Sequence, residues 1–381
     1  MHYSVALNIT TKKLHDRIEH LLSLADVAVN GRRPWDIRVH NDNFYHTVMQ
    51  CGSLGLGESY MAGWWDVPQV DEFICRVLKA NLQNKVISVW DFLYYLQALL
   101  MNQQCVKRSY TVGEKHYDIG NDLYERMLDK RMIYSCAFWK NAATLDKAQE
   151  AKLDMVCRKL ELKPGMRILD IGCGWGGMAQ FAAKNYGVEI VGITISREQL
   201  ALARQRCAGL PVEIRLQDYR TLDEPFDRIL SLGMFEHVGY KNYRVYMEKV
   251  SCLLKEDGLF LLHTIGSNTS QKTTDSWIQK YIFPNSMLPS AKQIAAAIEG
   301  LFVLEDWHAF GADYDKTLMC WYDNFQSNWH DLKKKYDERF FRMWKYYLLS
   351  CAGSFRARNN QLWQIVLSPQ GIPGGYRAHY K

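Results

Sequence analysis

A glycine-rich stretch, RILDIGCGWGG, is the part of the sequence best suited to binding a nucleotide. Its apolar, strand-forming residues end at Asp170, and glycines then follow at Gly172, Gly174, Gly176 and Gly177. Glycines permit a tight turn and let the backbone approach a ligand without interference from a Cβ atom. The same spacing occurs in NAD-binding proteins. The residues around the loop are therefore needed to distinguish which nucleotide it binds.

Asp170 ends the first strand, at a position where a dinucleotide-binding fold usually keeps an apolar residue. A carboxylate there suits the cationic amino-acid part of S-adenosylmethionine better than it suits a pyrophosphate. The second strand ends at Thr194, without the acidic residue that an NAD ribose requires about 20 residues after the loop. The third strand ends in Gln217, Asp218 and Tyr219, a polar edge and a ring suited to an adenine. The sequence therefore favours S-adenosylmethionine over NAD.

The elements around this loop alternate regularly between strands and helices. A helix is predicted over 144–162, and further helices begin at Met178, Arg197 and Tyr243. Between them we predict strands over 166–172, 188–196, 212–218, 226–234 and 258–265. Two more strands are predicted over 316–322 and 361–368, with an aromatic helical stretch over 322–350 between them. This alternation is typical of a doubly wound parallel sheet and predicts an α/β, Rossmann-like domain.

The first hundred residues have a different, mostly helical character. Leu14, Ile18 and Leu21 mark one face of a helix, and an amphipathic helix is predicted over 71–82. A segment rich in turn residues and charges, NQQCVKRSYTVGEKHYDIGND, separates this part from the regular α/β pattern. Since 381 residues are long for one domain, the chain is divided in three. We predict an N-terminal domain over 1–105, a linker and active-site lid over 106–143, and a catalytic domain over 144–381.

Composition and charge limit the partners and the location of the protein. A net charge of +6 is too small to indicate a nucleic-acid-binding protein, but it is compatible with binding to an anionic membrane surface. The most apolar window, 86–101, contains Asp91 and is too short and too polar to span a bilayer. No secretory signal is recognisable at the N-terminus, and the ten cysteines have no paired spacing. They predict reduced, cytosolic thiols, without a metal site or a disulfide framework.

Several longer strings, spread in order along the chain, carry a family resemblance. They include SLGLGESYMAGWW, EKHYDIGNDLY, YSCAFWK, KPGMRILDIGCGWGGMA, VGITIS, GMFEHVG, FLLHTIG, WIQKYIFPN, FGADYDKTLMCWY and CAGSFRARNNQLWQIV. Through them nearly the whole chain resembles the cyclopropane-fatty-acyl-phospholipid synthases, bacterial enzymes that add a methylene bridge across a lipid double bond. The length also favours the phospholipid enzymes, because the related mycolic acid cyclopropane synthases lack most of the N-terminal part.

The resemblance implies which residues contact S-adenosylmethionine. These are Tyr134, Ser135, Gly172, Gly174, Thr194, Ser196, Gln199 and Asp218. The loop and strand-end arguments add Asp170, Gly177, Gln217 and Tyr219. The resemblance also implies a bicarbonate ion in the active site, held by four side chains and one backbone group. Its expected ligands are Cys136, Glu236, His263, Tyr314 and the backbone of Ile265.

The resemblance further implies partners and a location. It leads us to expect a phospholipid substrate, a homodimer, and a cytoplasmic protein associated peripherally with the inner face of the cytoplasmic membrane. Aromatic and apolar residues between Phe325 and Trp344 recur at helical spacing, with lysines and arginines between them. Such a segment can lie on anionic lipid as a basic amphipathic helix, or it can pack on the core with its charges in solvent.

The chemistry of an unactivated cis alkene fits this set of residues. The alkene has no proton to remove first, so its alignment with the sulfonium methyl group supplies much of the rate. Methyl transfer leaves a carbocation, which aromatic faces stabilise while they exclude water. Candidates for that lining are Tyr134, Phe138, Trp139 and Tyr281. A base then removes a proton from the added methyl group, and either bicarbonate or a directly acting Glu or His side chain can be that base.

Each of these residues also has a purely structural interpretation. Glu236 follows the fourth strand and His263 ends the fifth, at the edge where α/β sheets bind ligands, yet either could serve only the fold. Cys136 would ordinarily be a small buried apolar residue. Cys351 is a further candidate thiol, although the chemistry above has no role for a cysteine nucleophile. The alternative function is an S-adenosylmethionine-dependent methyltransferase that acts on a phospholipid headgroup or a small amine.

Overall fold

The computed structural model describes residues 2–86, 93–94, 97 and 120–378. The helices are α1 (His2–Ser23), α2 (Asn43–Met61), α3 (Val70–Lys79), α4 (Asn121–Met127), α5 (Leu145–Lys159), α6 (Gly177–Tyr186), α7 (Arg197–Arg206), α8 (Tyr243–Leu253), α9 (Ser276–Tyr281), α10 (Ala291–Ile298), α11 (Ala312–Ser327), α12 (Trp329–Leu332) and α13 (Glu338–Arg356). The strands are β1 (Arg38–Val39), β2 (Trp65–Asp66), β3 (Arg167–Ile171), β4 (Glu189–Thr194), β5 (Val212–Leu216), β6 (Phe226–Leu232), β7 (Leu254–Ser267), β8 (Val303–Ala309) and β9 (Asn360–Ser368). The first part of the predicted linker and lid, 106–119, lies outside the described residues.

Seven strands form one sheet in the order β5-β4-β3-β6-β7-β9-β8. The pairings from β5 to β7 are parallel, while β9 is antiparallel to both of its neighbours. The chain order reverses at β3, which lies between β4 and β6. In such a sheet the ligand binds outside the carboxyl ends of the strands at that switch point. The predicted doubly wound α/β fold is confirmed, and its topology brings the cofactor loop to this point.

Strand β3 is apolar on both faces because helices cover both sides of the sheet. Ile168 packs with residues of α5 and α6, whereas Leu169 and Ile171 pack with residues of α8 and α10. A parallel strand that is buried on both faces is a nearly continuous apolar run, which is why this segment is easily recognised as a strand. Asp170 interrupts the run although it is only 2% exposed. A buried carboxyl group in such a strand indicates a role other than packing.

The segment 316–322 lies within helix α11, so the prediction of a strand there is wrong. Its aromatic and β-branched residues favour a strand locally. Over a longer window, the buried residues Tyr314, Leu318, Trp321 and Phe325 recur at the spacing of one helical face. That face packs against α13, and the burial of the whole stripe outweighs the local preference of a few residues.

Strand β8 is an element that the sequence pattern does not indicate. It lies at the edge of the sheet beside β9, and Val303 and Leu304 are 43% and 47% exposed. An edge strand pairs through its backbone, so its side chains need not alternate between core and solvent. The other late strand, predicted over 361–368, is confirmed as β9.

The aromatic stretch over 322–350 is helical, but it is not one continuous helix. Helix α11 ends at Ser327, and the short α12 precedes the start of α13. Phe325, Leu332 and Trp344 are buried in a cluster that joins the N-terminal helices to α11 and α13. For these apolar residues the structure supports packing on the core rather than a helix lying on lipid.

The described N-terminal part is mostly helical, as predicted, and packs on α13. From α13, Arg342 donates to the carbonyl oxygens of Tyr60 and Trp65, at 2.5 and 3.0 Å, and to the Asp66 carboxylate at 2.8 Å. Helices of both parts share one hydrophobic cluster, while the domain boundaries stay a prediction. Within the described ranges, no helix combines the length and the apolar character needed to cross a bilayer.

Candidate active site

A cleft of about 1400 Å³, partly open to solvent, lies at the carboxyl ends of β3, β4, β5 and β6. All of the predicted cofactor residues except Ser196 line it. They are Tyr134, Ser135, Asp170, Gly172, Gly174, Gly177, Thr194, Gln199, Gln217, Asp218 and Tyr219. Since these residues come from widely separated segments, the fold itself assembles the pocket that the loop and strand-end patterns predict. Their contacts with the cofactor stay predictions.

The loop after β3 depends on glycine at two positions in particular. Gly172 has φ +86°, a left-handed conformation that residues with a side chain rarely adopt. Gly177 begins helix α6, and a Cβ atom there would lie 2.4 Å from the carbonyl oxygen of Arg131. The first glycine permits the turn, and the second permits close packing beneath it. The backbone is thereby free to face the cleft.

Among the residues that the structure describes, Asp170 is one of two carboxyl groups on the cleft wall, the other being Asp218. The Asp170 Oδ2 atom is buried and accepts no hydrogen bond within the described part of the chain. Burial raises the pKa of this carboxyl group to about 7, while the positive charge of Lys152 acts to lower it. A buried carboxyl oxygen with no partner among the described residues fits a cationic ligand, because the ligand would restore the interactions lost with water. S-adenosylmethionine carries such a charge on its ammonium group.

Thr194 and Gln199 form a fixed polar pair at the end of β4. The Thr194 hydroxyl group donates to Gln199 Oε1 at 2.8 Å, so both side chains are held in place on the cleft wall. Ser196 does not line the cleft. Its hydroxyl group instead accepts from the backbone N–H of Gln199 at 3.3 Å and caps helix α7. Ser196 thus orients Gln199. Because Ser196 does not line the cleft, the structure does not support its predicted contact with the cofactor.

Arg220 is a cleft residue that the sequence argument missed. Its guanidinium group donates two hydrogen bonds to the Asp218 carboxylate, at 2.8 and 2.7 Å. The carboxylate is therefore oriented by its neighbour in the chain, two residues away. Tyr219 lies between them, and its ring is mostly buried beside the cleft.

Other lining residues are ones to which the sequence analysis gave no individual role. They include Met132, Trp175, Met234, His237, Pro284 and Asn285. Pro284 and Asn285 belong to the WIQKYIFPN string of the family resemblance, which was the available signal for them. Burial lowers the pKa of His237 to about 4, so this ring is neutral at the cleft wall at physiological pH.

Glu236 lies just behind the cleft wall, in a 3-10 turn that follows β6. Its Oε1 atom accepts from the backbone N–H of Ile265 at 2.7 Å, and its buried Oε2 atom has no hydrogen-bond partner among the described residues. Burial raises the pKa of Glu236 to about 7. The bond across to β7 means that the Ile265 N–H, expected to hold bicarbonate, here holds the Glu236 carboxyl group.

His263 is buried in β7, opposite Gln364 of β9. Its Nδ1 atom lies 3.3 Å from the Gln364 side-chain nitrogen, and its buried Nε2 atom has no partner within the described residues. Because Nδ1 accepts from the amide, the neutral ring carries its proton on Nε2. Burial, together with nearby positive charges, lowers the pKa of His263 well below its usual value. The ring is therefore a neutral donor.

Cys136 and Tyr314 lie in the same buried cluster as Ile265. The Cys136 sulfur lies 3.9 Å from the Thr317 hydroxyl group, one helical turn after Tyr314 on α11. Burial raises the pKa of the Cys136 thiol well above its usual value, so it is uncharged. The Tyr314 ring packs on Phe355, with ring centroids 4.6 Å apart.

The five expected bicarbonate ligands lie behind the cleft lining rather than on it. The fold nevertheless connects them to the cleft, since the backbone N–H of Gly233 on the wall donates to the carbonyl oxygen of His263 at 2.9 Å. The unpartnered Glu236 Oε2 and His263 Nε2 atoms fit a small oxyanion, because a protonated carboxyl group and a neutral N–H can both donate to it. Cys351 lies on α13 and packs against the same hydrophobic cluster as Cys136 and Tyr314, and burial raises its pKa to about 12.

The residues predicted as aromatic lining lie in different places. Tyr134 is on the cleft wall, with its hydroxyl group 2.8 Å from that of Tyr347. Phe138 packs edge-on against Phe310 at 5.6 Å, and the Phe310 ring lies 5.9 Å from His263. These rings thus approach the His263 side. The Tyr281 hydroxyl group instead donates to Glu58 at 2.7 Å.

Comparison with known proteins identifies relatives along nearly the full length of the chain. The sequence model of the mycolic acid cyclopropane synthetase family matches residues 104–365. The chain is 57% identical, over 359 residues, to a cyclopropane-fatty-acyl-phospholipid synthase of Escherichia coli (strain K12), with 94% of each chain covered.

Solved structures agree with that assignment. The cyclopropane synthase MmaA2 from Mycobacterium tuberculosis is 31% identical, with a TM-score of 0.64, over 68% of this chain and 97% of that one. The mycolic acid cyclopropane synthase CmaA1 complexed with SAH and CTAB is 32% identical, with a TM-score of 0.63 and the same coverage. Fold, cleft and relatives together show that this chain belongs to the mycolic acid cyclopropane synthetase family and is an S-adenosylmethionine-dependent methyltransferase.

Proposed function

We propose that the protein transfers a methylene group from S-adenosylmethionine to the cis double bond of an unsaturated fatty acyl chain in a phospholipid, giving a cyclopropane ring. The observation that carries the proposal is that two buried atoms near the cofactor cleft, Glu236 Oε2 and His263 Nε2, have no hydrogen-bond partner in the described part of the chain. An amine acceptor loses its proton readily once methylated, whereas a methyl C–H needs a base held beside it. The Escherichia coli relative named for this reaction supports the same choice.

The first step requires alignment more than acid or base. S-adenosylmethionine, when bound, supplies an electrophilic methyl group. Asp170 and the Thr194–Gln199 pair hold the polar groups around it, so the chain fixes the position of the methyl carbon. The electron pair of the double bond forms the new carbon–carbon bond as the carbon–sulfur bond breaks. The positive charge left on the other alkene carbon is stabilised by aromatic faces such as Tyr134 and Phe138, and their packing excludes water.

Removal of a proton completes the ring. The electron pair of one methyl C–H bond closes onto the cationic carbon, and the proton passes to a base. We propose that bicarbonate is that base, held by the protonated carboxyl group of Glu236 and the Nε2–H of His263. The Ile265 N–H acts through Glu236, whose orientation it fixes at 2.7 Å. Cys136 and Tyr314 complete the surroundings as uncharged groups in the same cluster.

We also propose that the protein works as a homodimer, bound peripherally to the inner face of the cytoplasmic membrane. The net charge of +6 supports contact with anionic lipid, and the substrate is itself a component of the bilayer. Sedimentation with anionic vesicles tests the contact, and light scattering of the purified protein tests the dimer. A protein that stays in the supernatant with such vesicles would contradict the membrane part of the proposal.

The central experiment follows a labelled methyl group. The purified protein is incubated with methyl-labelled S-adenosylmethionine and vesicles of cis-unsaturated phospholipid. We expect label in the acyl chain together with loss of the olefinic proton signals. Vesicles of saturated phospholipid with the same headgroup are the control and should take up no label. Label in the headgroup would refute the proposal and favour a headgroup methyltransferase.

A second experiment addresses the base. Rigorous removal of carbon dioxide and bicarbonate should lower the rate by about tenfold or more, and added bicarbonate should restore it. Chloride at the same ionic strength is the control. An unchanged rate would refute bicarbonate as the base and indicate that Glu236 or His263 takes the proton directly. It would not contradict the proposal that the product is a cyclopropane.

A further inference from the structure

Lys152 is a lysine on helix α5 that is completely buried, with 0% of its surface exposed. Lysine is almost never fully buried, because its ammonium group loses water that is costly to replace. The Nζ atom donates to the Ser135 hydroxyl group at 2.8 Å. Among the described residues, no carboxylate lies within salt-bridge distance of it. Completing an ion pair therefore does not explain its position.

The bond from Lys152 fixes a short segment that serves both parts of the active site. Ser135 and its neighbour Tyr134 line the cofactor cleft, and the next residue, Cys136, is an expected ligand of the bicarbonate ion. One turn earlier on α5, Gln149 donates to the carbonyl oxygen of Ser135 at 2.9 Å. Two buried polar side chains of one helix thus hold this segment from behind.

The charge of Lys152 also acts on both parts of the site. It lowers the pKa of Asp170 in the cleft, against the effect of burial, which raises that pKa to about 7. It adds to the effect of burial in lowering the pKa of His263. The other titratable groups that face Lys152, Asp170 or His263 in the described structure are Asp129, Cys136, Lys159, Cys173, Cys207, Tyr246 and His308. Of these groups, Lys152 is the cation that acts on both Asp170 and His263.

We propose that Lys152 is a positioning residue of the reaction: its hydrogen bond holds Ser135 at the cofactor cleft, and its charge favours the ionised form of Asp170 that receives the cofactor's ammonium group. The inference rests on the cofactor role proposed for Asp170, but it is independent of the acceptor that is methylated. Lys152 touches neither reactant. It acts through one hydrogen bond and through its charge.

The test measures binding of S-adenosylhomocysteine to the full-length protein by titration calorimetry, from about pH 6 to pH 8.5. Because burial lowers the pKa of Lys152 to about 8, the effect of its charge is compared below that pH. In the wild type we expect the affinity to rise as Asp170 ionises around pH 7. Lys152→Gln carries no charge, and its shorter side chain also weakens the contact with Ser135, which the Ser135 variant below tests separately. The midpoint of the pH profile should therefore move upward by about one unit, which is about a tenfold loss of affinity near pH 7.

Lys159→Gln is the matched control. Lys159 is a second buried lysine on α5, but it is paired with Asp306 at 3.1 Å, and its charge is not among those that act on Asp170. The control should lose stability while its pH midpoint for S-adenosylhomocysteine stays that of the wild type. Equal midpoint shifts in both variants would refute a specific effect of Lys152, as would an unshifted midpoint in Lys152→Gln.

Ser135→Ala tests the hydrogen bond separately and does not depend on the folding of Lys152→Gln. It removes the acceptor but leaves Lys152 charged, so binding should weaken several-fold at every pH with an unchanged midpoint. Wild-type affinity in this variant would overturn the positioning role. Because binding is measured without any acceptor, these outcomes are distinct from failure of the proposed cyclopropane chemistry.

Discussion

Replacement of Glu236 by glutamine separates the stability of the folded chain from its activity. Glutamine has the same shape and can still accept the Ile265 N–H, which lies 2.7 Å from Glu236 Oε1. It cannot ionise, however, and it cannot exchange a proton. Its amide can donate to bicarbonate as the protonated carboxyl group does, so with bicarbonate as the base we expect the variant to fold, to bind the cofactor and to keep methylene transfer within about tenfold of wild type. A loss of about a hundredfold or more would indicate that Glu236 itself takes the proton.

The size of the stability effect follows from burial. Burial raises the pKa of Glu236 from its ordinary value of 4.5 to about 7. At about 1.4 kcal/mol per pKa unit, keeping this group ionised costs the folded protein about 3 kcal/mol. Below pH 4.5 both the folded and the unfolded chain hold the proton, and the full stability is present. Above that pH the unfolded chain releases its proton first, so stability is lost as the pH rises through about 7.

The assay is urea unfolding of wild type and Glu236→Gln at several pH values, followed by circular dichroism. Contributions from all other titrating groups cancel in the difference between the two proteins. We expect the variant to gain about 2 kcal/mol relative to wild type between about pH 5.5 and pH 8.5. Glu248→Gln, which changes a half-exposed carboxylate on α8, is the control and should show no such trend. A difference that stays constant with pH would show that burial does not destabilise the Glu236 carboxylate.

Three further changes test other parts of the structure. Asp170→Asn should weaken binding of S-adenosylhomocysteine by about tenfold or more at pH 8, because the unpartnered carboxylate in the cleft is lost; calorimetry giving wild-type affinity would exclude it as the ammonium partner. Arg342→Ala should lower the free energy of unfolding by about 2–4 kcal/mol, since it removes three hydrogen bonds to the N-terminal part, whereas exposed Arg339→Ala should change it by less than about 0.5 kcal/mol in urea titrations. Cys351→Ser should keep kcat within about twofold of wild type in the labelled-methyl assay, because a thiol with a pKa of about 12 is not ionised; loss of activity would give that thiol a role.

The cofactor side of the site could be predicted from sequence because its signals are local. A strand, a glycine turn and a helix follow one another between Arg167 and Tyr186, and each has a pattern of its own. Strand ends at Thr194 and Asp218 then point to the same edge of a parallel sheet. Ser196 is the exception, because a hydroxyl group at that position can cap a helix as well as contact a ligand.

The late helices show where local patterns fail. The residues of 316–322 favour a strand one by one, yet they belong to α11. Its buried stripe from Tyr314 to Phe325 is recognisable only over about three helical turns and against α13. Strand β8 was not predicted because its side chains do not alternate between apolar and polar. Its backbone pairing with β9 determines its conformation. Both outcomes depend on partners that are distant in sequence.

The sequence by itself determined the doubly wound fold, the glycine loop and the class of cofactor, since these depend on short-range periodicity and on backbone freedom at a few glycines. Only the tertiary structure decided that Glu236 is held by the Ile265 N–H of a neighbouring strand, that His263 faces Gln364, and that Lys152 lies beneath Ser135. The physical reason is desolvation. The protonation state and the orientation of a polar group depend on what surrounds it after folding, and residues far along the chain supply those surroundings.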